Sequence, residues 1–158
     1  MPKLPPCGIY RTIEAIGSVP KGRLVFFHNH GEPGPGIYLP EKWIGNKAVF
    51  STRGLLLPSP EDTAKLLPLP REGFYRVTRQ FHCCPKKCRV FAVDTLVQLG
   101  YDWAATPILF EPEWMGAVLR LPEEGTRIQD ESLAFLAPLF VREASIKNSS
   151  TDELLIAH

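Results

Sequence analysis

No apolar run in this chain approaches the about 20 residues that a membrane-spanning helix needs, and the opening stretch, Met1 to Pro6, has no apolar segment of the secretory kind. The expectation is a cytoplasmic protein in a reducing setting, with no membrane partner. An excess of one charge is also lacking. Lysine and arginine number 18 against 17 acidic residues, a formal net charge of +1. Nucleic acid is therefore not the partner that charge points to, and neither is a strongly acidic substrate. Complete catalytic signatures are absent too. There is no Gly-x-Ser-x-Gly elbow. Residues 31–36 are rich in glycine, but two of them are prolines without N–H donors and no Gly-Lys-Ser/Thr follows, so they do not cradle phosphate. Glu111, Glu113, Glu123 and Glu124 read as solvated surface before they read as a carboxylate pair.

What the chain does have is β-forming material. Apolar residues make up 44% of 158 residues, and the 16 prolines are scattered rather than gathered in one linker. Residues 8–16, 23–28, 37–40 and 47–52 read as strands, with a short helical stretch at 61–67. Strands follow at 73–81, 89–93, 95–99, 107–110, 117–121 and 138–141. Residues 130–136 read as a helix, with Asp130 as its N-cap. A polar tail begins at Ala144, with a helical turn over 152–156.

The two halves echo each other. Gly8-Ile9-Tyr10-Arg11 recurs 65 residues on as Gly73-Phe74-Tyr75-Arg76, and Leu24-Val25 recurs 72 residues on as Leu96-Val97. The stretch from Ile37 to Trp43 matches Ile108 to Trp114, and Pro68-Leu69 matches Pro138-Leu139. Self-similarity of this kind predicts two copies of one small unit. The expected fold is β-rich α+β: two related β-meanders of SH3-like barrel type in tandem, each with a short helix, packed as one compact body. The first unit spans 1–72, the second 73–143, and a loose tail 144–158. Trp43 and Trp114 are expected at equivalent places, in the core or between the units. The offset jump implies about seven extra residues in the second unit, at His82 to Cys88.

That insertion holds His82, Cys83, Cys84 and Cys88, three of the four cysteines. Cys84-Pro85-Lys86-Lys87-Cys88 puts two thiols across a proline-set turn, a spacing that suits structural zinc with its tetrahedral N and S ligands. His82 or Cys83 supplies a third ligand in this reading, and Cys7, His28 or His30 a fourth. Free packed thiols, a disulfide, or a reactive thiol with its pKa lowered by Lys86, Lys87 and Arg89 are the competing readings. His28-Asn29-His30 is the second candidate, because strand residues two apart share a face. Gly22-x5-His28-x-His30 resembles the first half of the first cupin motif over nine residues, with Gly34 and Pro35 where that family places a glutamate. The function expected is a non-enzymatic intracellular protein-interaction module of inhibitor, immunity or adaptor type, with zinc as its candidate cofactor. The alternatives are a metal- or thiol-dependent enzyme using the histidine pair and the cysteines, and a nucleic-acid-binding β-module using Arg76, Arg79, Lys86, Lys87 and Arg89.

Overall fold

A computed structural model describes residues 3–145. The predicted helical turn over 152–156 and most of the predicted tail lie outside them. The chain is strand-rich. The first half runs β1 (Gly8–Thr12), β2 (Leu24–His28), β3 (Gly36–Tyr38), β4 (Pro40–Ile44), β5 (Lys47–Phe50), β6 (Leu55–Leu56), a 3-10 helix (Pro60–Lys65) and β7 (Leu66–Pro68). The second runs β8 (Gly73–Val77), β9 (Phe81–His82), β10 (Val90–Phe91), β11 (Leu96–Tyr101), β12 (Pro107–Phe110), β13 (Glu113–Met115), β14 (Val118–Arg120), β15 (Thr126–Arg127), a 3-10 helix (Asp130–Phe135) and β16 (Leu136–Pro138).

Two five-stranded antiparallel sheets carry the architecture, in the orders β6-β3-β2-β1-β7 and β15-β12-β11-β8-β16. Period-two burial explains them. Tyr10 and Thr12 of β1 and Val25 and Phe27 of β2 point inward, and with Ile16, Val19, Ile37 and Leu66 they fill the first sheet's core. Tyr75, Val77, Val97, Leu99, Tyr101 and Leu109 do the same for the second. The ladders match in register. Tyr10 lies opposite Val25, and Tyr75 opposite Val97. The Tyr10 hydroxyl donates to the Pro6 carbonyl and the Tyr75 hydroxyl to the Arg71 carbonyl, both at 2.6 Å. Gly54 and Gly125 lie in the same kind of crowded corner. A Cβ on Gly54 would sit 2.6 Å from the Ile37 carbonyl oxygen, and one on Gly125 2.7 Å from that of Leu109.

Ile37 and Leu109 are therefore counterparts, one residue away from the Ile37–Ile108 match suggested by sequence. Trp43 faces Ala48 and Trp114 faces Leu119, each in a short antiparallel hairpin. A bulge between Pro40 and Lys42 takes up the odd residue. Ile16 bridges Val19 across a two-residue turn, whereas Phe81 pairs with Phe91 across the whole cysteine stretch.

Several expectations change. The sheets are open, and no closed barrel forms among the described residues, so the SH3-like barrel shape is not seen. Both helices are short 3-10 turns. Asp130 is not the N-cap; Gln129 holds that place and makes no side-chain cap bond. The Asp130 carboxylate goes instead to Arg11, at 2.5 and 3.0 Å. No helix of the described residues is long and apolar enough to cross a membrane.

The halves are joined by the β4–β5 hairpin, which lies on the outer face of β11. Its Trp43 indole donates to the Tyr101 carbonyl at 2.9 Å and packs edge-on against Trp103. The Asn46 amide donates to Gln98 Oε1 and to the Pro122 carbonyl, both at 3.0 Å, while Gln98 Nε2 donates back to the Gly45 carbonyl at 2.9 Å. Gln98 is buried, so this exchange removes the cost of an unpaired amide. The Ala48 N–H donates to the Glu72 carboxylate at 2.9 Å, whose pKa burial pushes up. Gly100 makes the fit possible, because a Cβ there would meet the Asn46 carbonyl oxygen at 2.7 Å.

Two outcomes follow. Gly100→Ala lifts the hairpin off its sheet and lowers stability by about 1–3 kcal/mol, the usual cost of overpacking, read as a fall in thermal midpoint. Asp130→Asn costs about 1 kcal/mol at neutral pH, since the pair with Arg11 is partly exposed and screened. Arg11 holds the Asp130 pKa below its ordinary value. The stabilisation is therefore full above the unfolded carboxylate pKa of about 4 and fades as pH falls below it. Denaturant melts of both proteins across that range should converge at low pH.

Candidate metal centre

Cys7, His28 and His30 come together where the chain enters β1 and leaves β2. Antiparallel pairing places Gly8 opposite Phe27, so the residue before β1 meets the residue after Phe27. The entering segment is pinned from both sides. Asn29 Nδ2 donates to the Pro5 carbonyl at 3.1 Å, and the Tyr10 hydroxyl fixes Pro6. Cys7 Sγ lies 3.4 Å from His28 Nδ1 and 3.8 Å from His30 Nδ1. The two imidazole centroids are 4.0 Å apart. The Asn29 N–H donates to Cys7 Sγ at 3.3 Å, and the Cys7 thiol donates to Asn29 Oδ1 at 3.2 Å. His30 Nδ1 lies 2.7 Å from the same oxygen. Among the described residues, this is the group of three Cys, His, Asp or Glu donors whose ligand atoms all lie within 4.8 Å of one another. Cys7 and His30 are exposed and His28 is half-buried.

The cysteine insertion forms a separate feature. β9 and β10 make a short ladder, closed by the Cys83 N–H donating to the Arg89 carbonyl at 2.9 Å. The Lys87 N–H donates to the Cys84 carbonyl at 2.9 Å, with Lys87 in the left-handed region at φ 57. All four cysteines are free thiols in the structure. Cys83 is buried beside Phe81 and Phe91, Cys84 is half-buried and Cys88 is exposed. Cys84 Sγ lies 3.6 Å from Cys83 Sγ and 3.8 Å from Cys88 Sγ, a chain of sulfurs rather than a closed triangle. The backbone N–H of Cys88, joined by the Cys83 side chain and the Lys86 N–H, brings the Cys84 thiol down to about 7. Its hydrogen bond and charge in turn push Cys88 up.

The structure thus divides the predicted ligand set. His28 and His30 converge with Cys7. Cys83, Cys84 and Cys88 form their own cluster, and His82 lies in the ladder at its base, opposite Val90. Cys7, weighed only as one of three fourth ligands to the cysteine loop, is a full member of the histidine cluster. Asn29 was not anticipated at all; the signal for it is the β1–β2 register. The Cys88 N–H first and the Cys83 side chain second, not the charges of Lys86, Lys87 and Arg89, lead the lowering of the Cys84 pKa. Arg89 is paired with Glu111, and Arg76 with Asp94, which offsets part of the basic character of the second half. Comparison with protein-family models, with curated proteins and with solved structures finds no match.

Cys84 should be the thiol most reactive at neutral pH, because the thiolate is the nucleophile and Cys84 is both accessible and acidified. Alkylation by iodoacetamide, followed by peptide mass mapping, should label Cys84 first, with a rate that steps up near pH 7. Cys84→Ser should remove that fast phase.

Proposed function

We propose that the chain is a doubled β-unit acting as a non-enzymatic protein-interaction module, and that the β13–β14 hairpin is its docking element. The observation that carries this reading is the contrast between two hairpins of like construction. β4–β5 is seated on β11. Among the described residues β13–β14 has no such seat, and Trp114 is 73% exposed, with Met115, Val118 and Leu119 exposed around it. Trp43 is half-buried at the junction of the halves as expected, whereas Trp114 is not, because burial of this side chain depends on a neighbouring sheet and not on the hairpin itself. Large apolar side chains clustered in water mark a contact surface. The like order and register of the two sheets support the duplication.

The seated hairpin indicates the chemistry of the partner. The Trp43 indole takes a backbone carbonyl, and the Asn46 carbonyl takes a glycine beneath it. Ala117 stands where Asn46 makes its polar contacts, so the second hairpin asks for a more apolar face. The Glu113–Arg120 ion pair brackets the apolar tip. An open groove of about 850 Å³ runs beside it, walled by Arg89, Glu111, Arg120 and Glu124. The partner is thus a protein with an apolar sheet face or cleft and a free carbonyl for the Trp114 indole.

A second reading concerns the cysteine loop. With Zn–S bonds of about 2.3 Å, tetrahedral zinc separates two sulfurs by about 3.8 Å. Cys84 and Cys88 are 3.8 Å apart, and backbone N–H groups already favour the thiolate at Cys84. These facts support a zinc loop at Cys84 and Cys88, with Cys83 and His82 as the nearest further donors.

The docking reading is tested with a benzophenone amino acid at Met115 in the full chain, irradiated in extract of its own cells. A discrete conjugate with one protein is expected, and for that purified partner Trp114→Ala should weaken binding about 30-fold or more, as an aromatic anchor does. The thermal midpoint should hardly move, because Trp114 is exposed. Unchanged affinity would sink the reading, and a conjugate only with a second copy would replace the separate partner by self-association. Elemental analysis of the Cys84→Ser, Cys88→Ser double variant against the parent tests the loop: loss of one zinc per chain is expected.

A further inference from the structure

We infer that Cys7, His28 and His30 form a zinc(II) site of one thiolate and two imidazoles, independent of the cysteine loop and of the docking hairpin. The distances fit a shared ion. With Zn–S near 2.3 Å and Zn–N near 2.0–2.1 Å, tetrahedral angles separate sulfur from nitrogen by about 3.6 Å. The Cys7 sulfur lies 3.4 and 3.8 Å from the two imidazole nitrogens, one value on each side of that figure. Core packing does not account for the closeness of the three donors, since Cys7 and His30 are exposed.

The site is held in place before any ion arrives. The Asn29 N–H donates to the Cys7 sulfur, a contact that a zinc-bound sulfur keeps, whereas the contacts of Asn29 Oδ1 with the Cys7 thiol and with His30 Nδ1 are the ones that zinc at those atoms replaces. The Asn29 side-chain amide donates to the Pro5 carbonyl, so one residue contacts the Cys7 sulfur and ties down the segment that carries it. Thiolate with imidazole is a donor set for borderline ions and excludes calcium and magnesium, which take oxygen.

Three protein donors leave a fourth position, and it faces solvent. This distinguishes the site from a closed structural centre. Its place in the fold gives a reason for the opening. The site sits at the end of β2, which corresponds to the end of β11 when the two sheets are matched strand for strand. In the second half that place is covered: Ala48 donates to Glu72, and the Asn46 carbonyl abuts Gly100. Counting along the matched strands, Cys7 stands for Glu72 and His28 for Gly100. A histidine where the other sheet has a required glycine bars a hairpin from docking in the same way. The first sheet therefore keeps this corner open to water, and a water or a small anionic donor completes the zinc shell.

The test uses cobalt(II), whose thiolate charge-transfer and tetrahedral d–d bands report the ligand set. The full chain carries Cys84→Ser and Cys88→Ser, so that the loop contributes nothing and Cys83 stays buried. One equivalent of cobalt should bind with bands of a single thiolate in a four-coordinate site, and zinc should displace it. Saturating zinc should raise the thermal midpoint by about 5–10 °C. Cys7→Ser should abolish the charge-transfer band, and the His28→Ala, His30→Ala double variant should weaken cobalt binding about 100-fold or more. Both variants alter half-buried or exposed side chains, and far-ultraviolet circular dichroism checks that they fold. The proposal is overturned if no cobalt is retained, if the band survives Cys7→Ser, or if zinc leaves the midpoint unchanged. Trp114→Ala should leave all these readings as they are, so failure here and failure of the docking reading are separate results.

Discussion

The seating of the β4–β5 hairpin on β11 is the contact on which the rest of the molecule depends. It is polar at its centre, where Asn46 donates to the buried Gln98 and Gln98 donates to the Gly45 carbonyl. It is steric at its closest point, where only glycine at position 100 admits the Asn46 carbonyl. Buried amides must be paired, and the pairing works in one register only, so the contact selects an arrangement as well as stabilising it. Arg11, reaching from β1 to Asp130 and to the Ala105 carbonyl at 2.6 Å, fixes the same arrangement from the other side. Leu24 adds an apolar tie: it belongs to the first sheet but is buried in the core of the second.

The sulfur chemistry is built in two different ways. At the first sheet, Cys7 is brought to its histidines by long-range strand pairing, over a separation of more than twenty residues. At the cysteine loop, everything is local: the turn from Cys84 to Cys88 points its N–H groups at one sulfur. Local construction lowers a pKa but supplies few ligands. Pairing across strands gathers mixed donors but leaves them more exposed. Neither set of side chains lies in a sheet core, apart from Cys83.

Most strand positions were legible in the chain, and the Gly-x-Tyr-Arg echo marks the first strand of each half; burial alternates in β1 and β8, whereas β11 is buried at five consecutive residues beneath the hairpin. The one-residue error at Ile37 came from matching identical side chains across a bulge that only the ladder reveals. The opposite environments of Trp43 and Trp114 could not be read, because hairpins of like sequence differ only in what lies beneath them. The convergence of Cys7 with His28 and His30 was missed for a similar reason. Composition pointed to the dense cysteine loop, whereas the donor cluster depends on which residues face each other across β1 and β2.

The order in which the chain is made gives the hairpin contact a temporal side. During synthesis the first sheet is complete by Pro68, but β4–β5 has nowhere to settle until Tyr101 has left the ribosome. For that interval the Trp43 indole lacks the Tyr101 carbonyl and the Trp103 ring that meet it in the finished molecule. A nascent chain at that stage exposes apolar surface that the completed fold covers, the condition under which partly made chains associate.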